Sequence, residues 1–293
     1  SINHRNINYR SKIRYKGRII DTHLNPTMRN ENVSFKIKIK KSEEGSILGM
    51  REFNLMDLRR RGYLLEWYAR EFLKNEGLIH LDYRFINLYI NGKDHGIYAM
   101  DEVISESTLT KNKRRDSVSV RIDNNFINAQ TDLSITNPNG YAAYNDNFII
   151  SEIDTLNETV EKKFKEISNL NSFTQNYPIS IKEKVLIGPD NERIKNFHLA
   201  SGLLNKFRRG MLKTEEVFDI DQLAKGFAAS DILDGWHGIN WTNISFYFNP
   251  MTLKLEPIFQ DWYNEGSVST GNEKVARDIR FLDVYNYGIF YRN

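Results

Sequence analysis

The chain has 293 residues, of which 40% are hydrophobic and 27% charged, and this composition predicts a folded globular protein rather than a disordered one. A formal net charge of +3, from 41 basic and 38 acidic residues, argues against a dedicated nucleic-acid-binding protein. The absence of cysteine excludes disulfides, thiolate catalysis and cysteine-ligated zinc sites.

The first part of the chain predicts paired β-strands. Polar and apolar side chains alternate over residues 11–15 and again over residues 34–40, as they do in half-buried strands. A polar loop around Asn25 and Pro26 separates the two segments, so we expect them to pair with each other. A further short strand is predicted over residues 53–55.

A helix and a hairpin are predicted next. Apolar residues recur at helical spacing over residues 63–75, and Gly77 provides a C-terminal stop. Residues 85–100 contain two apolar runs on either side of an Asn-Gly pair at positions 91–92, which is a strong hairpin signal. We expect residues 93–95 to widen the hairpin loop slightly.

The second half of the chain begins with a weak signal. Residues 123–195 are rich in Asn and Ser and are interpreted as an insertion or a peripheral subdomain, with one helical segment near residues 152–170. Clearer patterns then predict helices over 194–212 and 221–233, and a hairpin with strands at 244–248 and 253–259. Asp219 or Asp221 is expected to cap the second of these helices.

The order of these elements predicts an α+β protein with two lobes. A strand-rich N-terminal lobe would span residues 1–122, with a hinge near residues 100–104. A mainly helical C-terminal lobe would span residues 123–293. A cleft between two lobes is a common ligand site, so we expect the functional residues to lie there.

The last predicted hairpin carries candidate metal ligands. Asn243 precedes its first strand and Asp261 follows its second strand, and the two ends of a hairpin lie side by side. Their side-chain oxygens can therefore converge on one ion, such as Mg²⁺ or Mn²⁺, with water and phosphate at the remaining positions. Capping and turn roles would explain the same residues without a metal.

Five segments of the sequence carry a family resemblance. They are LYINGKDHGIYAMDEVI at residues 88–104, KIRYKG at 12–17, the pair Ser34-Phe35, Asn243 with Phe246-Tyr247, and residues 255–261. In this order they resemble the strands and turns of the spore coat protein H (CotH) family of atypical kinase-like proteins. Residues 123–195 contain no motif that matches this family.

The resemblance implies a protein-kinase-like fold, with an N-terminal antiparallel sheet, one main helix, and a helical C-terminal lobe that contains a metal-site hairpin. It implies ATP with Mg²⁺ or Mn²⁺ as cofactors, and a Ser-rich protein as substrate. Asn243 and Asp261 match the positions of the metal ligands. Glu102 matches a family position near the join of the lobes, and Arg14 and Lys16 match a basic pair on the first strand. These two, or Lys36 and Lys38, are the candidates for binding nucleotide phosphates, although a solvated sheet edge would also explain the lysines.

The residue that would orient the acceptor hydroxyl is less well placed by the resemblance. The family has an Asp-Gly pair close before the metal hairpin, whereas here Asp234-Gly235 is followed by a longer segment, residues 236–242. We take Asp234 as the catalytic candidate, because a kinase uses an Asp at this step. His237 is an alternative base, and Asp231 is another, although we expect Asp231 to be buried within the preceding helix.

Other charged residues are interpreted as solvent-exposed. Glu66 and Glu71 lie on the first predicted helix, where a kinase pairs a Glu with its phosphate-binding lysine. An exposed helix charge explains each of them more simply. The basic clusters at residues 59–61 and 111–115 are likewise interpreted as solvated turns or helix faces.

The sequence leaves two functions open. The first is an atypical protein kinase that transfers the γ-phosphoryl group of ATP to Ser or Thr of a protein. The alternative is a catalytically inactive kinase-like protein that acts in binding, at a surface or in assembly, and the longer 236–242 segment favours it. No apolar run approaches the about 20 residues of a membrane helix, and no signal-peptide pattern begins the chain, so we expect a soluble protein in the cytoplasm or at the cell surface.

Overall fold

The computed structural model describes residues 2–4, 7–16, 33–42, 44–58, 62–122, 178–181, 192–233, 235–239 and 243–262. Its strands are β1 (Ile2–His4), β2 (Ile7–Tyr9), β3 (Ser11–Tyr15), β4 (Phe35–Ile39), β5 (Glu52–Asp57), β6 (Tyr83–Ile90), β7 (Lys93–Glu102), β8 (Ser119–Ile122), β9 (Ile179–Ile181), β10 (Ser245–Asn249) and β11 (Lys254–Ile258). Its α-helices are α1 (Leu65–Asn75), α2 (Glu106–Lys111), α3 (Glu192–Arg208), α4 (Thr214–Val217) and α5 (Ile220–Leu233), and a short 3₁₀ helix spans Trp236–Ile239. The fold of these residues is α+β with antiparallel sheets, as predicted.

The larger sheet has five strands in the order β3-β4-β5-β7-β6. The predicted pairing of the first two strands is confirmed, since Ile13 lies opposite Ile37 in the antiparallel pair β3–β4. Strands β6 and β7 form the predicted hairpin around Asn91 and Gly92, whose φ angles of 52° and 80° are typical of a tight two-residue turn. The expectation that residues 93–95 widen this loop is wrong, because Lys93 already pairs with Ile90.

One face of the five-stranded sheet is covered by the N-terminal hairpin β1–β2 and the loop before β5. Ile37, Phe53 and Tyr98 point to this face and are almost completely buried. Tyr9 from β2 and Met50 from the loop pack against them. The opposite face of the sheet packs in part against α1, where Trp67 contacts the buried side chains of Met56, Tyr83 and Ala99.

The smaller sheet has four strands in the order β11-β10-β8-β9. The predicted hairpin is confirmed as β10–β11, in which Ser245 lies opposite Ile258. Sequence patterns did not predict β8, which pairs with β10 through Val120 and Phe246. The largest core of the described residues lies between this sheet and the helices, and it includes Leu73, Leu204, Phe207, Leu223, Phe246, Phe259 and Trp262.

The helices α1, α3 and α5 correspond to three predicted helices. Asp219 rather than Asp221 caps α5, because its Oδ1 accepts a hydrogen bond from the backbone N–H of Gln222 at 3.1 Å. The helix predicted at residues 152–170 lies outside the described residues. None of the helices in the described part of the chain has the length and apolar character needed to cross a membrane.

Candidate functional site

A row of side chains crosses all five strands of the larger sheet at one level. The strand register places Arg14 opposite Lys36, Lys36 opposite Asn54, Asn54 opposite Asp101, and Asp101 opposite Tyr83. Directly opposed residues in a sheet lie side by side on the same face. All five residues line one cavity, which has a volume of about 470 Å³.

The remaining walls of this cavity, which we call the cleft, come from several elements. Helix α1 contributes Glu66 and Arg70, and β8 contributes Arg121. The connection after β7 contributes Glu102, Val103 and Ile104, and the segment after β11 contributes Gln260 and Asp261. The cleft therefore lies where the five-stranded sheet, α1 and the hairpin of the four-stranded sheet meet.

Basic side chains cover the wall of the cleft near β3 and β4. Arg14, Lys16 and Lys36, all predicted to bind nucleotide, line the cavity together. Lys38 lies further along the same strand, and both Lys36 and Lys38 form ion pairs with Glu52. Burial alone would raise the pKa of Glu52. The ammonium groups of Lys36 and Lys38 lower it by more, so the pKa lies below its ordinary value.

A buried charge cluster lies next to these basic side chains, on the same row of the sheet and on α1. Arg70 Nη2 lies 2.5 Å from Glu66 Oε1 and 3.4 Å from Asp101 Oδ1, and Asn54 Nδ2 donates to Asp101 Oδ2 at 3.0 Å. Burial alone would lower the pKa of Arg70, and the two carboxylates raise it. The guanidinium is therefore held charged between two carboxylates in a site that water scarcely reaches.

The interpretation of Glu66 as an exposed helix charge is wrong. Its side chain is only 2% exposed, because α1 turns the face that carries Glu66 and Arg70 toward the cleft and the core. Glu71 fits the expectation better, since it is 40% exposed and lies 3.5 Å from Lys74 on the same helix. Glu66 accepts hydrogen bonds from the backbone N–H groups of Asp261, at 3.2 Å, and Trp262, at 2.7 Å.

The predicted metal ligands lie at the open end of the β10–β11 hairpin. Asp261 borders the cleft and adopts a positive φ of 68°, a backbone conformation that Asp tolerates better than most residues. Asn243 lies beside it, where its carbonyl oxygen accepts a hydrogen bond from Gln260 Nε2 at 2.9 Å. The described residues contain no group of three or more His, Asp or Glu side chains that could hold a metal ion, so a shared metal at Asn243 and Asp261 stays a prediction.

The segment that follows the catalytic candidate packs against the residue after Asp261. A Cβ atom added at Gly235 would lie 2.8 Å from the Trp262 ring, and one at Gly238 would lie 3.0 Å from it. These contacts bring the turn after residue 234 next to the end of β11. Asp234 itself and the side chain of His237 lie outside the described residues.

The expected burial of Asp231 is wrong. This residue lies in the last turn of α5, and its side chain is exposed to solvent. An exposed carboxylate at a helix end is a weak candidate for a base that must meet substrate in a cleft.

Glu102 borders the cleft, but protein groups already surround its carboxylate. It accepts hydrogen bonds from Thr108 Oγ1 at 2.9 Å and from the backbone N–H of Asp82 at 2.7 Å, and it forms an ion pair with Lys111. Its side chain therefore ties the β7 end to α2.

The basic cluster at residues 111–115 is only partly solvated, which corrects the expectation from sequence. Lys111 bridges Glu102 and Asp82, and Arg114 pairs at 2.7 Å with the buried carboxylate of Glu256. The cluster at residues 59–61 lies outside the described residues.

Sequence patterns missed five charged or amide side chains of the cleft, namely Asn54, Arg70, Asp101, Arg121 and Gln260. Asn54 lies among the buried apolar residues Phe53, Leu55 and Met56, and Asp101 directly follows the buried residues at positions 98–100. Such positions are a usable signal, because a polar side chain on a buried strand face needs polar partners.

A family model described as CotH kinase protein matches residues 13–234. The chain belongs to this family. The matched residues include Arg14, Lys36 and Glu102, and they end at Asp234, before Asn243 and Asp261. No curated protein matches the chain at a significant level.

Proposed function

We propose that this CotH-family chain binds ATP with Mg²⁺ or Mn²⁺ in the cleft and transfers the γ-phosphoryl group to a Ser or Thr hydroxyl of a Ser-rich protein. The observation that carries the proposal is the set of side chains that line the cavity. Arg14, Lys16 and Lys36 supply cations to this lining, and Asp261 supplies a carboxylate. Cations that neutralise phosphates and a carboxylate that ligates a divalent ion are the parts that phosphoryl transfer needs.

The proposal gives each residue a separate task. The three cations bind the phosphates and orient the terminal one, while the oxygens of Asp261 and Asn243 hold the ion, which neutralises charge on the phosphates when it is bound. Asp234 accepts the proton of the attacking hydroxyl. The bond from phosphorus to the Ser oxygen forms as the bond to the β-phosphate oxygen breaks, and the products are ADP and a phosphoprotein.

The proposal also divides the chain into two lobes. We place the five-stranded sheet in the first lobe and the four-stranded sheet with α3 and α5 in the second. The division belongs at the connection around residues 102–104 rather than at residue 122, because β8 pairs with β10 in the smaller sheet. Glu102 then lies at the hinge, where its bonds to Asp82, Thr108 and Lys111 would fix the connection.

Phosphate transfer from labelled ATP to a Ser-rich protein tests the proposal. We expect Asp261→Asn to lower the rate by about 100-fold or more, as the loss of one charge-stabilising group does in other enzymes. Glu71→Gln, on the exposed face of α1, serves as the control and should transfer phosphate at the wild-type rate. Equal rates for Asp261→Asn and wild type would overturn the assignment of Asp261.

A second candidate is a kinase-like protein that binds nucleotide without transferring phosphate. The longer segment at residues 236–242 favours it, because it separates Asp234 from the hairpin that carries Asn243 and Asp261. A thermal shift with ATP and Mn²⁺ separates the two functions, since ligand at 100 times its dissociation constant stabilises a protein by about 2.7 kcal/mol. A shift without transfer would support the second candidate, and no shift with millimolar ATP would exclude both.

A further inference from the structure

The backbone that carries Asp261 is held by one side chain from a distant part of the chain. Glu66 Oε1 accepts the N–H of Asp261 at 3.2 Å, and Glu66 Oε2 accepts the N–H of Trp262 at 2.7 Å. The two partners are separated by 195 residues in the first of these bonds. Because one carboxylate accepts both N–H groups, it fixes the peptide plane before Asp261 and the peptide plane after it.

This fixation matters because Asp261 has a positive φ of 68°. Non-glycine residues pay a conformational cost there, and such a conformation persists only where its surroundings impose it. Turning the chain at Asp261 also aims two neighbouring N–H groups at one acceptor, an arrangement that binds anions elsewhere in proteins. Here the anion is the side chain of Glu66.

Arg70 in turn holds Glu66 in place. Its Nη2 lies 2.5 Å from Glu66 Oε1, and its Nη1 donates to the carbonyl oxygen of Phe259 at 3.1 Å. Arg70 therefore contacts both the carboxylate that binds the Asp261 backbone and the strand end that leads into it. Both charged side chains are almost completely buried, so they have little freedom to adopt another arrangement.

We propose that Glu66 is a positioning residue that sets the direction of the Asp261 carboxylate and thereby the affinity of the cleft for a divalent cation. The inference rests on the proposed function in that it takes Asp261 as the metal ligand. Glu66 acts through the backbone and does not itself need to contact metal or substrate. Residues that orient a metal ligand typically change metal affinity by about 10- to 100-fold when they are replaced.

Amide hydrogen exchange measured residue by residue tests the contact itself. In Glu66→Ala the amides of Asp261 and Trp262 should exchange about tenfold faster or more, because each loses a charge-assisted hydrogen bond. The amide of Phe248, which donates to Val118, serves as the internal reference and should keep its wild-type rate. Unchanged exchange at residues 261 and 262 would overturn the proposal.

Binding of Mn²⁺ in the presence of a non-hydrolysable ATP analogue tests the consequence. We expect the dissociation constant for Mn²⁺ to rise by about 10- to 100-fold in Glu66→Gln, which keeps one acceptor oxygen but loses the charge. Glu71→Gln is the matched control, since it makes the same chemical change on the exposed face of the same helix. A purely structural role would lower the melting temperature of Glu66→Gln and leave Mn²⁺ affinity of the folded protein unchanged.

The outcomes for the inference and for the proposed function differ. Wild-type affinity for Mn²⁺ in folded Glu66→Gln would overturn the positioning role and leave the proposed function standing. No binding of Mn²⁺ to the wild type would overturn the proposed function, and the positioning role with it. If Glu66→Gln fails to fold, Glu66→Asp replaces it, because Asp keeps the charge beside Arg70 but withdraws the carboxylate by one methylene. Its affinity for Mn²⁺ is then interpreted in the same two ways.

Discussion

Two charge clusters lie in or beside the cleft, and they differ in how much water reaches them. Glu66 and Arg70 are 2% and 4% exposed, whereas Lys36 and Lys38 on the sheet are 26% and 41% exposed around their partner Glu52. Removing one partner of a buried ion pair strongly destabilises a protein, so Glu66 and Arg70 must keep the contacts that they already make. Ion pairs that water partly reaches contribute less, so under the proposed function the second cluster can exchange its carboxylate for a ligand phosphate.

The largest expected effect comes from the buried cluster. Arg70→Met removes the cation between Glu66 and Asp101 and should lower the free energy of unfolding by about 3–5 kcal/mol, the typical result of breaking a buried pair. Urea denaturation measures this loss. Lys74→Met, on the exposed face of the same helix, is the control and should change stability by no more than about 0.5 kcal/mol. A loss below about 1 kcal/mol for Arg70→Met would remove the distinction between the clusters.

The packing beneath the buried cluster predicts the next largest effect. Gly226 in α5 leaves no room for a side chain, because an added Cβ would lie 1.9 Å from the Phe259 ring, and the Phe259 carbonyl accepts from Arg70. Gly226→Ala should therefore destabilise the protein by about 1–3 kcal/mol through overpacking.

Gly202 in α3 is the matched control for Gly226. An added Cβ at this position meets no atom within 4 Å. Gly202→Ala should raise stability by about 0.5–1 kcal/mol, because alanine favours the helix. Thermal or urea unfolding measures the change in stability for each substitution. Changes of opposite sign would support the packing argument, and changes of the same sign would contradict it.

The contrast between the clusters also separates what the sequence could predict from what it could not. Alternation of side chains predicted β3 and β4, and apolar runs on either side of a turn predicted the β10–β11 hairpin, because these signals are local. Burial alternates as expected only in β4, since β3 is mostly exposed and β10 and β11 are buried on both faces. The same alternation placed Arg14 and Lys36 on neighbouring strands, and their meeting in the cleft follows from a strand pairing that was expected.

Helix α1 shows where local patterns fail. The apolar spacing suggested a buried face that included Leu64 and Tyr68, yet these side chains are 49% and 54% exposed, whereas Glu66 and Arg70 are buried. The reason is tertiary: Glu66 and Arg70 pair with each other within the helix, but their burial also requires Asp101 and the backbone at the end of β11. A pattern within one helix carries no information about groups so far away in the chain.

The smallest expected effect concerns the ion pairs of Glu52 with Lys36 and Lys38, and it depends on pH. Lys36 and Lys38 lower the pKa of Glu52 against the opposing effect of burial, so the folded pKa lies below the ordinary value of 4.5. A carboxyl group of this kind stabilises the folded state above its unfolded pKa and loses the contribution as pH falls through its folded pKa. Relative to the wild type, Glu52→Gln should therefore be less stable at pH 7 by about 0–1 kcal/mol.

That difference should shrink once the pH falls below 4.5 and should vanish at lower pH, as urea unfolding at several pH values can measure. A difference that stays constant or grows in acid would contradict the assignment of the shift to the two lysines. Under the proposed function Glu52 competes with ligand phosphate for Lys36, so the same substitution should tighten ATP binding at pH 7 while it weakens the fold. Replacement of Glu66 should instead weaken both, because its contacts have no substitute in the ligand.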